Sequence, residues 1–161
     1  MWKYTELNAF DSISLHDCKA SKVVMDGNDL VIYFPDGFWI TPASRHIDHD
    51  KPSKTGPAQV RFHTLGFFPV LDSVDIYHST KLFGKEILCR RLQPAVGDFL
   101  RMINTPCFEL EFISEYYNTV SALFECWIWR KNYGMYASCQ LHIMFKSIEY
   151  CWNKILPDQE W

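Results

Sequence analysis

The chain has 161 residues, of which 48% are hydrophobic and 22% charged. This mixture is typical of a single globular domain, here spanning residues 1–161, that needs no metal or disulfide to fold, and no cofactor is predicted. The formal net charge is −3 and no basic block is present, so nucleic-acid binding through neutralised phosphates is not expected. Because there is neither a signal-peptide core nor a run of roughly 20 apolar residues, the sequence predicts a cytoplasmic protein without a membrane partner.

The N-terminal third reads as short strands separated by tight turns. "CKASKVVM", "LVIYF" and "FWIT" are joined by "DGND" and "PDG", which supply the glycines and the proline that hairpin turns need. The pattern predicts a three-stranded antiparallel meander with Gly27 and Gly37 at positive φ. Leu30 and Phe34 are expected on its inner face, since alternate residues of a strand share a side.

"SLHDCK" places His16 and Cys18 two residues apart, before the first predicted hairpin. On a strand the two side chains share a face, so a histidine–cysteine nucleophile is one interpretation. The sequence favours the other: His16 or Asp17 hydrogen-bonds to the backbone where the chain enters the strand.

Leu15, His16, Asp17 and Cys18, with the hairpin that follows, resemble the opening of small bacterial β-rich proteins in which an LHDC or LHDA phrase leads into the first hairpin. Some of those proteins are similar to immunity proteins of contact-dependent toxin systems. The resemblance implies a bacterial, cytoplasmic, non-enzymatic protein and assigns no catalytic residue.

Residues 42–57, "PASRHIDHDKPSKTGP", carry three prolines and no apolar periodicity, which predicts a long loop. His46 and His49, with Asp48 or Asp50, offer nitrogen and oxygen ligands for a divalent metal. The prolines argue against a helix that would align them, so a solvated loop is favoured and a metal site is the alternative. A third ligand would come from one of three further histidines: His16, His63 or His78.

Further strands are predicted in "AQVRFHTL", "VLDSVDIYHS" and "KEILCRRL". "QPAVGDFLRMI" then places Val96, Phe99, Leu100 and Ile103 at helical spacing, which predicts one short helix over 95–103 that ends before Pro106.

Three long alternating segments follow: "CFELEFI", "TVSALFECWIWR" and "ASCQLHIMF". Alternation of this length predicts half-buried antiparallel strands, with Phe124 and Leu141 inside. Glu109, Glu111 and Glu115 would share an outward face, where solvated carboxylates are favoured over a catalytic pair.

The same alternation points Trp127 and Trp129 away from the core of their strand. Exposed paired tryptophans would mark a ligand or subunit contact, whereas a covering layer would make them structural. Together with Trp39 and Tyr33, they are the candidate ligand-binding residues.

Six cysteines occur without a CxxC pair and are predicted to be reduced and buried. They lie at positions 18, 89, 107, 126, 139 and 151.

The sequence therefore predicts a single-domain, mostly antiparallel all-β protein, either a barrel or a two-layer sandwich, with one short helix. The favoured function is non-enzymatic binding of another protein, as in an immunity or adaptor factor, and a homo-oligomer is compatible with it. Two alternatives stay open: a barrel that holds a small apolar ligand, and a metal-assisted enzyme built on His46 and His49.

Overall fold

The computed structural model describes residues 1–82 and 85–156, which form fifteen strands and one helix. In chain order these are β1 (Tyr4–Leu7), β2 (Ile13–Ser14), β3 (Cys18–Ala20), β4 (Lys22–Asp26), β5 (Asp29–Phe34), β6 (Trp39–Ile40), β7 (Ser53–Thr55), β8 (Ala58–His63), β9 (Leu71–Leu82), β10 (Lys85–Leu92), α1 (Val96–Ile103), β11 (Phe108–Tyr117), β12 (Ser121–Arg130), β13 (Gly134–Met144), β14 (Ser147–Trp152) and β15 (Ile155–Leu156).

Two antiparallel sheets form the body of the protein. The five-stranded sheet has the order β1-β14-β8-β5-β4, and the six-stranded sheet has the order β10-β9-β13-β12-β11-β3. Their inner faces meet through aromatic rings: Phe62 lies 5.8 Å from Phe124, and Phe34 lies 5.4 Å from Phe112, measured between ring centroids. The buried apolar residues make one cluster, which confirms the predicted inward faces of β5, β12 and β13.

The sheets remain open at their edges. β1 and β4 are the edges of one sheet, β10 and β3 are those of the other, and within the described residues neither sheet closes on itself. The all-β prediction and its sandwich form are therefore confirmed, and the barrel form is wrong. The inner faces pack on each other, so no strand is needed to join the edges.

A third, small sheet with the order β15-β7-β6-β2 packs against the sandwich. It contains "FWIT", which does not pair with β5, so the predicted three-stranded meander is wrong in its last strand. Gly37 has a φ of 73°, and a side chain there would overlap the Thr55 carbonyl oxygen. The chain therefore turns toward β7, and the Phe38 backbone N–H donates to the Thr55 hydroxyl at 2.9 Å. The first hairpin, with Gly27 at φ 62°, is as predicted.

Two other boundaries differ from the predictions. "CKASKVVM" is divided at Ser21, because β3 pairs with β11 in one sheet whereas β4 pairs with β5 in the other. The predicted loop over 42–57 ends early, since Ser53–Thr55 form a buried strand between β6 and β15. Backbone pairing holds this strand in place, and its polar side chains give no apolar signal.

The helix is confirmed, with Phe99 and Ile103 buried. Asn104, directly after it, accepts a hydrogen bond from the Val23 backbone N–H at 2.9 Å and donates one to the Val23 carbonyl at 2.6 Å. The asparagine thereby provides hydrogen-bond partners for backbone groups at the free edge of β4. Unpaired groups at such an edge would be available for pairing with a strand of another chain.

The cysteine prediction is correct for four of the six thiols, which are buried and free. It is wrong for Cys89 and Cys107, which are exposed, because Cys89 lies on an edge strand and Cys107 lies in the turn before β11. The described part of the chain contains no helix with the length and apolar character needed to cross a membrane.

Candidate functional site

His46, from the predicted metal loop, is packed against the end of the five-stranded sheet. Its Nε2 lies 2.6 Å from the Glu6 carboxylate, and its ring stands edge-on to Tyr4 and Trp152 at 5.4 Å and 5.3 Å. Arg45 donates to the same Glu6 oxygen at 2.5 Å. Burial raises the pKa of Glu6, but the hydrogen bonds from His46 and Arg45 outweigh it, and the net pKa is lowered. This histidine therefore holds its loop against β1.

The other candidate ligands do not join it. The His49 Nε2 lies 3.2 Å from the Ser53 hydroxyl, and the His63 Nδ1 lies 3.0 Å from Asp29. Within residues 1–82 and 85–156, no group of three His, Cys, Asp or Glu side chains is arranged to hold a metal ion. The described residues therefore do not provide a set of ligands for the metal site that was considered at His46, His49 and Asp48.

The LHDC phrase docks the N-terminal segment onto β11. The His16 Nδ1–H donates to the Ile113 carbonyl at 2.5 Å, and the Asp17 backbone N–H donates to the Phe112 carbonyl at 2.8 Å. Cys18 is buried, which raises the pKa of its thiol to about 11 despite the nearby Lys54 ammonium. A thiol held protonated in this way is a poor nucleophile, so these contacts favour the structural interpretation of the phrase.

Glu115 belongs to the same docking contact. A register shift between Phe112 and Ser114 moves Glu115 to the inner side of the sheet, so it does not share a face with Glu109 and Glu111 as alternation predicted. Its carboxylate accepts hydrogen bonds from three groups of the described chain: the Ser14 hydroxyl at 2.7 Å, the Leu15 backbone N–H at 2.9 Å and the Tyr117 hydroxyl at 2.8 Å.

The four candidate aromatic residues do not form one site. Tyr33 lies on the outward side of the five-stranded sheet, with the Lys22 ammonium 5.7 Å from its ring. Trp39 belongs to the small sheet, with the buried Lys54 ammonium 4.4 Å from its ring. Only Trp127 and Trp129 are neighbours, with ring centroids 6.0 Å apart.

These two tryptophans lie on what we call the open face, the outward side of the six-stranded sheet. Its centre is a row across four neighbouring strands, Tyr77, Ser138, Trp127 and Glu111, fixed by the strand register. No described outward side chain on β9, β13, β12 or β11 is buried. Of the two alternatives for the tryptophans, an exposed surface therefore fits the described residues better than a covering layer.

The opposite side of the molecule is different. On the outward side of the five-stranded sheet, Val31 and Cys151 are buried although they point away from the core. Arg61 bridges Asp26 and Asp29 there, at 2.5 Å and 3.2 Å. That side is covered by its own charged side chains, whereas the open face presents apolar rings to solvent.

The tryptophan pair is held in a defined orientation. The Trp129 indole N–H donates to the Glu111 carboxylate, and the Lys19 ammonium lies 5.4 Å from the Trp129 ring. Trp127, 38% exposed, stands edge-on to Trp129. A large ring fixed in this way loses little conformational entropy on binding, which is the property of an interface anchor.

A groove of about 550 Å³ runs beside Trp127. Trp127 lines it together with Tyr77, Ser79, Cys89, Met135 and Ser138. Apart from Cys89, which was predicted only as a buried cysteine, these neighbours of Trp127 carry no signal in the sequence that would group them into a site. Tyr77 reaches this groove through the pairing of β9 with β13, which places it beside Ser138, the residue paired with Trp127.

The open face therefore combines an exposed apolar anchor, an adjacent recess and charged groups at its border, the composition of a protein-binding surface. Comparisons of the chain with protein-family models, curated proteins and solved structures found no match.

Proposed function

We propose that this protein is a non-enzymatic binding protein that holds a polypeptide partner against its open face. The observation that carries the proposal is the Trp127–Trp129 pair, of which Trp127 is exposed and Trp129 is half-buried, on a sheet side where no described outward side chain of the four long strands is buried. Trp127 acts as the anchor, and the groove beside it receives a side chain of the partner. A cytoplasmic role of the kind that immunity and adaptor proteins fulfil is consistent with the proposal.

The interior gives less support to a small apolar ligand. The space between the two large sheets is filled by packed rings, including Phe62, Phe112 and Phe124. The groove beside Trp127 lies at the surface of the molecule. A surface groove suits contact with another protein better than it suits the enclosure of a small apolar ligand. A protein partner is therefore the better match to the described geometry.

The test compares proteins captured by immobilised wild type, Trp127→Ala and Phe67→Ala. Phe67 is a matched control because it is an aromatic residue that is 90% exposed in the loop between β8 and β9, away from the Trp127 groove. We expect a stoichiometric partner that wild type and Phe67→Ala retain, and that Trp127→Ala binds about 30-fold more weakly, as for the loss of a tryptophan anchor. Equal capture by all three proteins, or a wild-type chain that neither captures a partner nor associates with itself, would refute the proposal if circular dichroism shows that the variants are folded.

A further inference from the structure

We propose that the polypeptide held on the open face is a second copy of this chain, in a two-fold dimer whose axis runs parallel to the strands between β13 and β12. The inference rests on the proposed function and identifies the partner. It follows from three properties of the open face: the order of its strands, the sizes of facing side chains and the positions of its polar groups.

Strand order gives complete overlap. β13 and β12 are the two central strands of the six, so rotation about an axis between them places β12 on β13 of the partner, β11 on β9 and β3 on β10. Four of the strands have ten to twelve residues, β10 has eight and β3 has three. With strands about 4.8 Å apart and about 3.3 Å per residue, the face covers roughly 800 Å². A stable interface buries about 800 Å² on each partner, so the face is large enough.

Side-chain size alternates across the axis. Rotation about an axis parallel to the strands leaves each residue at its own height, so residues paired between β12 and β13 within one copy face each other between copies. Trp127 pairs with Ser138, and Trp129 pairs with Met135. Each large indole therefore meets a small or pliable side chain of the second copy, and Trp127 enters the groove that Ser138 of that copy helps to line. Stacked sheets about 10 Å apart require such interdigitation.

The polar groups match in the next row. Glu125 pairs with Gln140 across β12 and β13, so each glutamate would face the glutamine of the second copy. The Gln140 carbonyl already accepts the Tyr77 hydroxyl at 3.1 Å, which leaves its amide N–H groups as donors. Glu125 has no hydrogen-bond or ion-pair partner in the part of the chain that the structure describes, and its carboxylate would accept them.

The border charges are compatible with this arrangement. Lys19, on β3, would face Arg91, on β10 of the second copy, and two cations oppose each other there. Asp75 already binds the Arg91 guanidinium through two contacts of 2.8 Å, and its negative charge offsets part of this repulsion. Glu111, beside Lys19 in the same row, adds a negative charge opposite Tyr77 and close to Arg91.

Sedimentation velocity of the full chain from about 1 to about 100 µM tests the dimer, since this range detects micromolar affinity. We expect wild type to dimerise. Ser138→Glu, which places a larger, charged side chain in the groove, should raise the dissociation constant about 30-fold or more. The matched control is Thr119→Glu, the same kind of change at an exposed turn position, and it should sediment like wild type.

A charge exchange tests the axis itself. Glu125→Lys and Gln140→Glu should each weaken the dimer by about tenfold. The two changes together should restore it, because in a two-fold dimer each new lysine would face a new glutamate of the other copy. A dimer that tolerates Ser138→Glu and both single changes would use another surface and would overturn the inference.

A wild-type chain that stays monomeric at the highest concentration also overturns it. If such a chain captures a different protein through Trp127, the proposed function holds and only the identity of the partner is wrong. If it captures nothing, both proposals fail.

Discussion

At the scale of single residues, Glu115 is a carboxylate that suggests catalysis in the sequence but holds two segments of the chain together in the structure. Its two oxygens accept hydrogen bonds from Ser14, Leu15 and Tyr117, so it fastens the N-terminal segment to β11. His16 reinforces this contact through the Ile113 carbonyl, which the register shift at that position leaves available. The LHDC phrase is thus explained by backbone docking, and its histidine and cysteine do not need a chemical role.

Glu6 makes stability depend on pH. Its pKa is lowered from 4.5 by the hydrogen bonds of His46 and Arg45, against the opposing effect of burial. A carboxylate whose pKa is depressed by folding stabilises the protein above its unfolded-state pKa, and this contribution is lost as pH falls through the folded value. We expect Glu6→Gln to lower the free energy of unfolding by roughly 0.5–1 kcal/mol at pH 7.

The measurement is urea unfolding of wild type and Glu6→Gln at several pH values from 7 to below the folded pKa. The difference between the two proteins should shrink as pH falls below about 4.5, since Glu6 is then increasingly protonated in both states. A difference that stays constant over this range would show that the carboxylate charge is irrelevant.

At the scale of elements, the turn at Gly37 decides which sheet the following strand joins. The residue has positive φ and its Cα faces the Thr55 backbone so closely that no side chain fits. Gly27 also has positive φ, but nothing lies within 4 Å of the position a Cβ would occupy. Alanine substitutions at the two glycines therefore distinguish the free-energy cost of a left-handed backbone conformation from the cost of steric overlap.

Gly27→Ala should destabilise the protein by about 1–2 kcal/mol, the cost of the left-handed conformation alone. Gly37→Ala should cost at least about 2 kcal/mol more, because β6 and β7 must also move apart. Chemical denaturation of both variants measures the difference. Equal losses would mean that β7 adjusts without strain and that the close approach is not a constraint.

The sequence predicts those strands that are held in place by buried apolar side chains, and it does not predict those that are held by backbone hydrogen bonds. The strands around Phe124 and Leu141 bury every second side chain, so their positions and inward faces are readable from alternation. Ser53–Thr55 contain no apolar residue, and the register shift near Ile113 is not marked by a glycine or a proline, so the sequence predicts neither of them.

No strand was predicted over β14, although Ile148, Tyr150 and Trp152 do occupy alternate positions. The outward position of the tryptophans followed from the pattern, whereas the groove beside them depends on strands that come together only in the fold.

At the scale of the whole molecule, Phe124 joins the two large sheets. Its ring lies 5.8 Å from Phe62 in the opposite sheet and 5.3 Å from Phe112 in its own. Phe124→Ala should lower the free energy of unfolding by about 3–5 kcal/mol, since it leaves a cavity between the sheets. Phe124→Leu should cost less than about 1.5 kcal/mol because it preserves most of the volume.

Urea titrations of both variants provide the measurement, and an unchanged denaturant slope would show that the same surface is exposed on unfolding. If Phe124→Ala cost no more than Phe124→Leu, the sheets would be able to close over the missing ring, and the core would be more plastic than its packing indicates.

The position of β14 has a consequence for biosynthesis. β14 lies between β1 and β8, so on the ribosome the five-stranded sheet lacks a member until residues 147–152 have left the exit tunnel. The hairpins of β9 with β10, β11 with β12 and β12 with β13 involve neighbouring segments and are able to form earlier. During that interval the apolar inner face of the six-stranded sheet is not yet fully covered by the five-stranded sheet. The growing chain depends most on chaperones at this stage.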